Sequence, residues 1–233
     1  MEQDIPYLLV GTYGWDNTEW SDNYYDEEEP REWRFLTYSG HFRSVLVPAA
    51  MWSEPPDAGQ WAEEADDAFR FVLELPSSFA DPGRSSGDLQ QLAEQFFQQA
   101  QPIREQTVGL YLQLVQQPPD MTWLRELFSV ITPCLPLSIA LPVVWQTEEA
   151  MVLLQQYKVG QCWFPDEAGA MPGQWGQWMM AISETSDLKQ LRSIIERFSP
   201  VLDKHIAAGL FFRGKNAADA AERARIIADL LIV

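Results

Sequence analysis

The sequence predicts a single (β/α)8 barrel of the TIM type over residues 1–233. Short apolar segments alternate with helical patterns along the chain, which is typical of a parallel sheet. Eight such segments fit in 233 residues, close to the roughly 250 of a typical barrel of this class. An open doubly wound sheet is the alternative. The absence of a GxGxxG or P-loop motif after the first strand weakens that alternative.

The predicted strands are short apolar runs bounded by proline, glycine or polar residues. The first leads into Gly11-Thr12-Tyr13-Gly14-Trp15, whose glycines let the backbone pass close to other groups. The third alternates with period 2 and ends at Pro76. The eight predicted strands are Tyr7–Thr12, Ser44–Val47, Phe69–Leu75, Val108–Val115, Leu137–Leu141, Val159–Phe164, Trp178–Ser183 and Ile206–Phe212.

Helix signals follow nearly all of these strands. Pro30 suits a first helical turn, Trp33 and Leu36 share one face, and Gly40 is the expected stop. A weaker helix is expected over 60–68, and a loop rich in Gly and Trp follows the sixth strand. The remaining helices are expected to begin at the capping residues Asp88, Asp120, Thr147, Ser186 and Asn216.

Charge limits the range of partners. The chain has 34 acidic and 16 basic residues and a net charge of −18, so it repels nucleic acid. Residues 1–67 hold 16 of the acidic residues and only three arginines. The run Asp26-Glu27-Glu28-Glu29, inside the acidic loop 16–29, is either a solvated surface or a site for a cation or a basic partner.

The remaining composition predicts a cytoplasmic protein. Cys134 and Cys162 lack CxxC spacing and are expected to be buried, inert thiols. No apolar run reaches about 18 residues, and the acidic N-terminus is unlike a signal peptide. We therefore expect no membrane partner. His41 and His205 do not form a transition-metal motif, so no metal is expected, while cofactors and the oligomeric state are left open.

Several motifs resemble those of one known family. Gly11–Trp15, Trp20 and Tyr24-Tyr25 resemble an opening that reads G-T-S-G-W, a Trp and F-Y-P. Further similar motifs are Tyr38–Phe42, Phe69–Pro76, Leu110–Leu114 and Trp145. The family is the YecE-like family, domain-of-unknown-function family 72, and the resemblance implies a TIM-type barrel.

The chain also departs from the pattern of that family. Leu46 and Pro48 stand where the second strand has Glu and Asn, and Glu74 replaces the lysine of the third strand. Ile139–Pro142 replaces E-x-R-H in the fifth strand, and Arg213-Gly214 stands near a missing pair of asparagines. The resemblance therefore implies that a charged site in the barrel mouth is largely lost.

Ligand-binding candidates follow from the rule that barrel enzymes act at the C-terminal ends of their strands. The rule selects Tyr13, Trp15, Trp52, Gln113, Trp145, Arg213, Lys215 and Asn216. The tryptophans form either a stacking floor for a planar ligand or part of the core. Gln113 interrupts an apolar strand, so we expect it to point into the barrel as a ligand contact or as a structural amide. A buried amide without a partner would cost about 1–3 kcal/mol.

Charged groups at strand ends give the weaker candidates. Glu74 and Glu184 are the possible catalytic carboxylates. Glu74 is expected to face the lumen, either as a general acid or base or in a salt bridge with Arg70 on the same face. The cluster Arg213–Asn216 is either an anion site at a helix N-terminus or a capped helix with two solvated cations.

Three functions remain open at this stage. The first is binding of a small anionic or planar ligand at the C-terminal mouth, with a degenerate catalytic site. The second is a hydrolase or lyase that uses a barrel-mouth carboxylate with Arg213. The third is a non-enzymatic interaction module that uses the acidic N-terminal third. The fold alone does not separate them.

Overall fold

Eight parallel strands form one sheet, which confirms the predicted (β/α)8 barrel. The computed structural model describes residues 8–17, 20, 24–26, 28–52, 57–167, 171–173, 176–202 and 207–232. Tyr7, Glu27, His205 and Ile206 lie outside these residues. The strands are β1 (Leu8–Tyr13), β2 (Ser44–Val47), β3 (Arg70–Glu74), β4 (Thr107–Gln113), β5 (Leu137–Ala140), β6 (Gly160–Gln161), β7 (Trp178–Ser183) and β8 (Ala207–Phe212).

The sheet closes on itself between its two ends. Hydrogen-bonded neighbours follow the order β6-β5-β4-β3-β2-β1-β8-β7. Trp163, just after β6, joins these ends: its N–H donates to the Met180 carbonyl at 2.8 Å, and its carbonyl accepts from Ile182 N–H at 3.0 Å. The closed wall leaves its strand ends facing two opposite openings, of which the C-terminal one carries function in such barrels.

Seven α-helices surround the described part of the barrel. They are α1 (Arg34–His41), α2 (Ala58–Glu64), α3 (Ser86–Gln99), α4 (Met121–Ile131), α5 (Glu148–Tyr157), α6 (Leu188–Leu202) and α7 (Ala217–Leu231). Every strand except β6 is followed by one of them, as predicted. Among the described residues, no helix combines the length and the apolar character needed to cross a bilayer.

The helix caps agree only in part with the predicted ones. Asp120 and Thr147 cap α4 and α5 as expected. Ser85, rather than Asp88, caps α3, because Asp88 lies in the first turn and completes a capping box with Ser85. At α6, Asp187 accepts from two backbone N–H groups of the first turn, a role predicted for Ser186. At each of these two helices, the residue that caps the first turn therefore differs from the predicted one.

The main core lies between the strands and the helices. Val45, Val47, Phe71, Leu73 and Leu112 are fully buried there, as the alternation of their strands predicts. Aromatic side chains fill much of this layer. Trp15, for example, lies 4.6 Å from Phe35 and 5.0 Å from Trp61 between ring centroids.

A second apolar cluster fills the barrel lumen. Its buried members are Leu9, Leu46, Val72, Tyr111, Ala140, Cys162, Trp178, Met180, Ile182 and Phe211. Trp178 lies at the start of β7 and occupies the N-terminal end. A Cβ on Gly109 or Gly209 would lie 3.1 Å or 2.9 Å from the Trp178 ring, so both glycines make room for it. Polar side chains collect at the opposite end.

The glycines of the opening motif serve close packing, as predicted. A Cβ on Gly11 would lie only 2.1 Å from the carbonyl oxygen of Ser44 on β2. Gly14 has a φ of 75°, a conformation that side chains disfavour, and its N–H donates to the Leu46 carbonyl at 2.8 Å. The motif therefore holds β1 against β2 and turns the chain out of the barrel just after Tyr13.

Candidate functional site

Tyr13 and Glu74 meet across the C-terminal mouth of the barrel. Tyr13 ends β1 and Glu74 ends β3, with β2 between them. The Tyr13 hydroxyl donates to Glu74 Oε2 at 2.5 Å. The same oxygen accepts the Ala49 N–H at 2.7 Å, from the short 3-10 turn Ala49–Trp52 that follows β2. Three consecutive strands of the wall thus fix one carboxylate.

Glu74 also lines a pocket at the mouth. Glu74 is only 7% exposed, yet its Oε1 has no hydrogen-bond partner among the described residues. The Glu74 pocket has a volume of about 440 Å³ and lies at the ends of β2 to β5. Its lining residues are Ala49, Glu74, Leu75, Ser77, Gln113, Leu114, Val115, Gln116 and Pro142. A hydrogen-bond acceptor therefore lies against a partly apolar wall.

The Tyr13 phenol keeps its proton over the ordinary pH range. Burial raises the pKa of Tyr13 well above its usual value, and the hydrogen bond to Glu74 adds to the shift. The positive charge of Arg213 opposes it. Because the neutral phenol is stabilised, Tyr13 acts as a fixed donor that orients Glu74.

Arg213 belongs to a second polar group at the mouth. Its Nε donates to Glu184 Oε1 at 2.8 Å, and its backbone N–H donates to the Ser183 carbonyl at 3.0 Å. Asp166, after β6, accepts from Ser183 Oγ at 3.0 Å and from Glu184 N–H at 2.5 Å. Asp166 thus fixes the end of β7, which in turn holds Arg213. The guanidinium is engaged by a carboxylate of the protein itself.

Gln113 lies at the rim rather than inside the barrel. It is the last residue of β4 and is exposed, so the expectation of an inward, buried amide is wrong. The strand ends at this residue, and its side chain therefore emerges beyond the rim. It still lines the Glu74 pocket and so remains a possible ligand contact.

The three predicted ligand-binding tryptophans lie in the main core. Trp15 and Trp52 both pack on Trp61, with ring centroids 5.0 Å and 5.8 Å apart. Trp145 packs on Trp123, and its Nε1 donates to the Val115 carbonyl at 3.1 Å. Of the two interpretations left open by the sequence, these contacts favour packing over a stacking floor.

Lys215 and Asn216 lie beside a different depression, outside the lumen. They line it together with Trp20, whose Nε1 donates to the Gly214 carbonyl at 3.1 Å. Asn216 is at the N-cap position of α7, but its side chain makes no capping hydrogen bond there. Asp219 adds a negative charge in the first turn. The cluster Arg213–Asn216 is therefore divided between two places and does not form one anion corner.

The predicted salt bridge between Arg70 and Glu74 is absent. Arg70 Nη1 donates instead to the carbonyls of Asp67 and Phe69, at 2.7 Å and 2.9 Å. The two side chains share a face of β3, but they stand at opposite ends of the strand. Four residues of a strand span about 13 Å, which is beyond the reach of an ion pair.

The sequence predictions missed Asp166 and three further contributors to the mouth. Ala49 acts through its backbone N–H, which no residue type reveals. Ser77 and Gln116 line the pocket from the loops after β3 and β4. Their place after strand ends is a signal that the C-terminal rule for barrels could have used.

The described residues offer no ready metal or thiol chemistry. They contain no group of three His, Cys, Asp or Glu side chains arranged to hold a metal ion. Cys162 lies in the lumen, and burial raises the pKa of its thiol well above the usual value. A protonated thiol is a poor nucleophile, so Cys162 acts as a packing residue.

Comparison with solved structures gives the same fold. A DUF72 family protein from Thermotoga maritima has a TM-score of 0.77 and 17% identity, covering 97% of this chain and 100% of that one. A DUF72 family protein from Enterococcus faecalis has a TM-score of 0.71 and 12% identity, with 98% of each chain covered. KGPDC from Streptococcus mutans has a TM-score of 0.54 and 10% identity, covering 96% and 99%.

These identities are low enough that the structures show a shared fold and nothing about activity. No curated protein matches the chain. The family described as "Protein of unknown function DUF72", which is the YecE-like family of the sequence motifs, matches residues 9–232. That match covers nearly the whole chain, and the protein therefore belongs to the DUF72 family.

Proposed function

We propose that the protein binds a small planar molecule in the Glu74 pocket and that it binds without catalysing a reaction. One observation carries the proposal. The Glu74 carboxylate lines the pocket, with one oxygen fixed by two donors and the other without a hydrogen-bond partner among the described residues. An acceptor that is held in place at a pocket and has no described partner is suited to a ligand with an N–H or O–H group.

The pocket also limits the size and polarity of the ligand. Its volume of about 440 Å³ falls in the range typical of small-molecule sites. Leu75, Leu114, Val115 and Pro142 supply apolar surface against which a ring can lie, beside the carboxylate of Glu74. This combination favours a neutral or cationic ring with a donor group.

The surrounding charges favour a neutral or cationic planar ligand over an anionic ligand. Arg213 already forms an ion pair with Glu184, and Asp166 adds a further carboxylate behind that pair. An anion that enters would have to displace Glu184 and approach a chain with a net charge of −18. The contrary result, an anion held by Arg213, is one outcome of the test below.

A hydrolase or lyase is the alternative. It would require Glu74 or Glu184 to exchange a proton with a bound substrate. Glu184 is exposed and paired with Arg213, and Glu74 has the Tyr13 phenol, a very weak acid, as its hydrogen-bonding neighbour. This set is better suited to holding a donor group than to cycling a proton.

The test uses benzamidine, benzamide and benzoate, which share a flat ring and differ in charge. Benzamidine and benzamide should raise the melting temperature in proportion to occupancy, and benzoate should not. Ligand at about 100 times its Kd would add about 2.7 kcal/mol. Glu74→Gln should abolish the effect. The two donors would take the amide oxygen, which would leave an NH2 group facing the pocket.

Glu184→Gln is the matched control, because it neutralises another mouth carboxylate and should leave the effect intact. Equal shifts in the wild type and in Glu74→Gln would contradict the Glu74 pocket as the site. A stronger effect of benzoate, or of sulfate over chloride at matched ionic strength, would favour the anionic class. Turnover of a substrate lost in Glu74→Gln would favour the enzymatic alternative.

We also propose a cytoplasmic location. The support is that Cys134 and Cys162 are not joined in a disulfide bond.

A further inference from the structure

Trp33, at the N-cap of α1, and Leu36, within α1, leave an apolar surface exposed. Their exposed fractions are 60% and 54%, whereas the other tryptophans that the structure describes are buried. The two residues are three positions apart and share one face, while Phe35 and Tyr38 occupy the core side. The core therefore does not account for Trp33 and Leu36, and exposed apolar patches mark interaction sites.

The surface continues along the helix to Gly40. A Cβ on Gly40 would have nothing within 4 Å, so the helix is open to an approaching chain at this point. Trp33, Leu36 and Gly40 together are called the α1 strip. From Trp33 to Gly40 the strip is about 10 Å long, which matches two turns of a partner helix.

Acidic side chains border the α1 strip on both sides. Glu29 is held on one side by the Thr37 hydroxyl, which donates to its Oε1 at 2.5 Å. On the other side, Gln60 of α2 donates to Glu64 Oε1 at 2.5 Å and to the Glu32 carbonyl at 3.5 Å. The carboxylates of Glu29 and Glu64 are thus fixed beside the apolar surface.

The two arginines nearest Trp33 do not neutralise these borders, and a third, Arg225 of α7, lies at the other end of the strip, where it donates to the His41 carbonyl. Arg34 Nη1 lies 2.7 Å from Asp16 Oδ1, and Arg31 pairs with the other oxygen of the same carboxylate. Both cations are therefore engaged by Asp16. Neither arginine therefore pairs with Glu29 or Glu64, and Oε2 of Glu64 is buried without a partner among the described residues, so Glu29 is the border that offers its charge to a partner.

We propose that the α1 strip docks a basic amphipathic helix of a partner protein. Its apolar side chains would cover Trp33 and Leu36, and its lysines or arginines would reach the acidic borders. A second copy of this chain is disfavoured, because identical acidic borders would face each other on molecules of net charge −18. The strip lies outside the barrel, so it is independent of the Glu74 pocket.

The test measures binding of a fluorescein-labelled helical peptide of leucine and lysine by fluorescence anisotropy. The peptide has its leucines on one face of the helix. A scrambled peptide of identical composition has no apolar face. The wild type should prefer the amphipathic peptide, and Trp33→Ala should weaken its binding at least about tenfold, as loss of a central aromatic contact does. Because Trp33 is exposed, this variant should fold normally, which its melting temperature checks.

Leu230→Ala is the matched control, since Leu230 is 73% exposed on α7 and is not part of the strip. It should change peptide binding less than about twofold, as neutral surface substitutions do. Equal binding of both peptides, equal effects of Trp33→Ala and Leu230→Ala, or no binding at low salt would overturn the proposal. A wild-type dimer in sedimentation that Trp33→Ala dissociates would overturn it in favour of a second copy.

Discussion

Truncation of Leu73 provides a quantitative test of the barrel wall. Leu73 lies on β3 and is fully buried between the wall and the helices. Leu73→Ala removes three buried carbons, which costs about 2.4 kcal/mol in transfer free energy at about 0.8 kcal/mol each. The remaining cavity adds to this, so the expected loss of stability is about 2.5–5 kcal/mol. For a chain of 233 residues, that corresponds to a melting temperature lower by roughly 5–20 °C.

The measurement is urea unfolding followed by circular dichroism, with the slope against denaturant compared between variants. Leu36→Ala is the matched control, because it makes the same chemical change at a leucine that is mostly exposed. It should cost less than about 1 kcal/mol. A loss below about 0.5 kcal/mol for Leu73→Ala, with an unchanged slope, would refute the placement of Leu73 in the core.

Two further predictions concern the opening motif and the tyrosines. Gly11→Ala would place a methyl group 2.1 Å from the Ser44 carbonyl, so it should cost at least about 2 kcal/mol in urea unfolding. Gly40→Ala, a helical site with open space, should cost nothing; equal losses would contradict the close approach. Burial raises the pKa of five tyrosines, so stability should be full below pH about 10 and fall as the pH rises further. Ultraviolet absorbance should show these phenols ionising only as the protein unfolds, and ionisation in the folded protein near pH 10 would contradict their burial. The five tyrosines with a raised pKa are Tyr13, Tyr24, Tyr25, Tyr38 and Tyr111.

The wall of the barrel was predictable because its signals are local. Each strand is a short apolar run that is bounded by proline, glycine or polar residues. The period-2 alternation of β3 places Phe71 and Leu73 on the face that packs against the helices. The same alternation places Glu74 on the lumen side, where it lies. Gln113 was expected to point into the barrel because it interrupts an apolar strand, but that signal does not give the position of the rim, where Gln113 is exposed.

The site was less predictable because it depends on contacts between distant segments. Trp15 and Trp52 follow strands, as residues of a barrel mouth do. Both nevertheless lie in the core, where they pack against Trp61 of α2. The Ala49 N–H that fixes Glu74 belongs to the backbone and has no signature in the sequence. Arg213 was expected either to bind an anion or to be solvated, and its pairing with Glu184 depends on the packing of β7 beside β8.

Glu74 marks a chemical difference between this chain and the motif that β3 resembles. In the family pattern that β3 resembles, lysine stands where this chain has Glu74. A lysine ammonium has three donors and no acceptor, so it could not receive the Tyr13 hydroxyl or the Ala49 N–H. Both donors require an acceptor at this position, and the three groups therefore form one set. The carboxylate gives the pocket the opposite charge from a lysine, so a ligand suited to a lysine mouth would be repelled here.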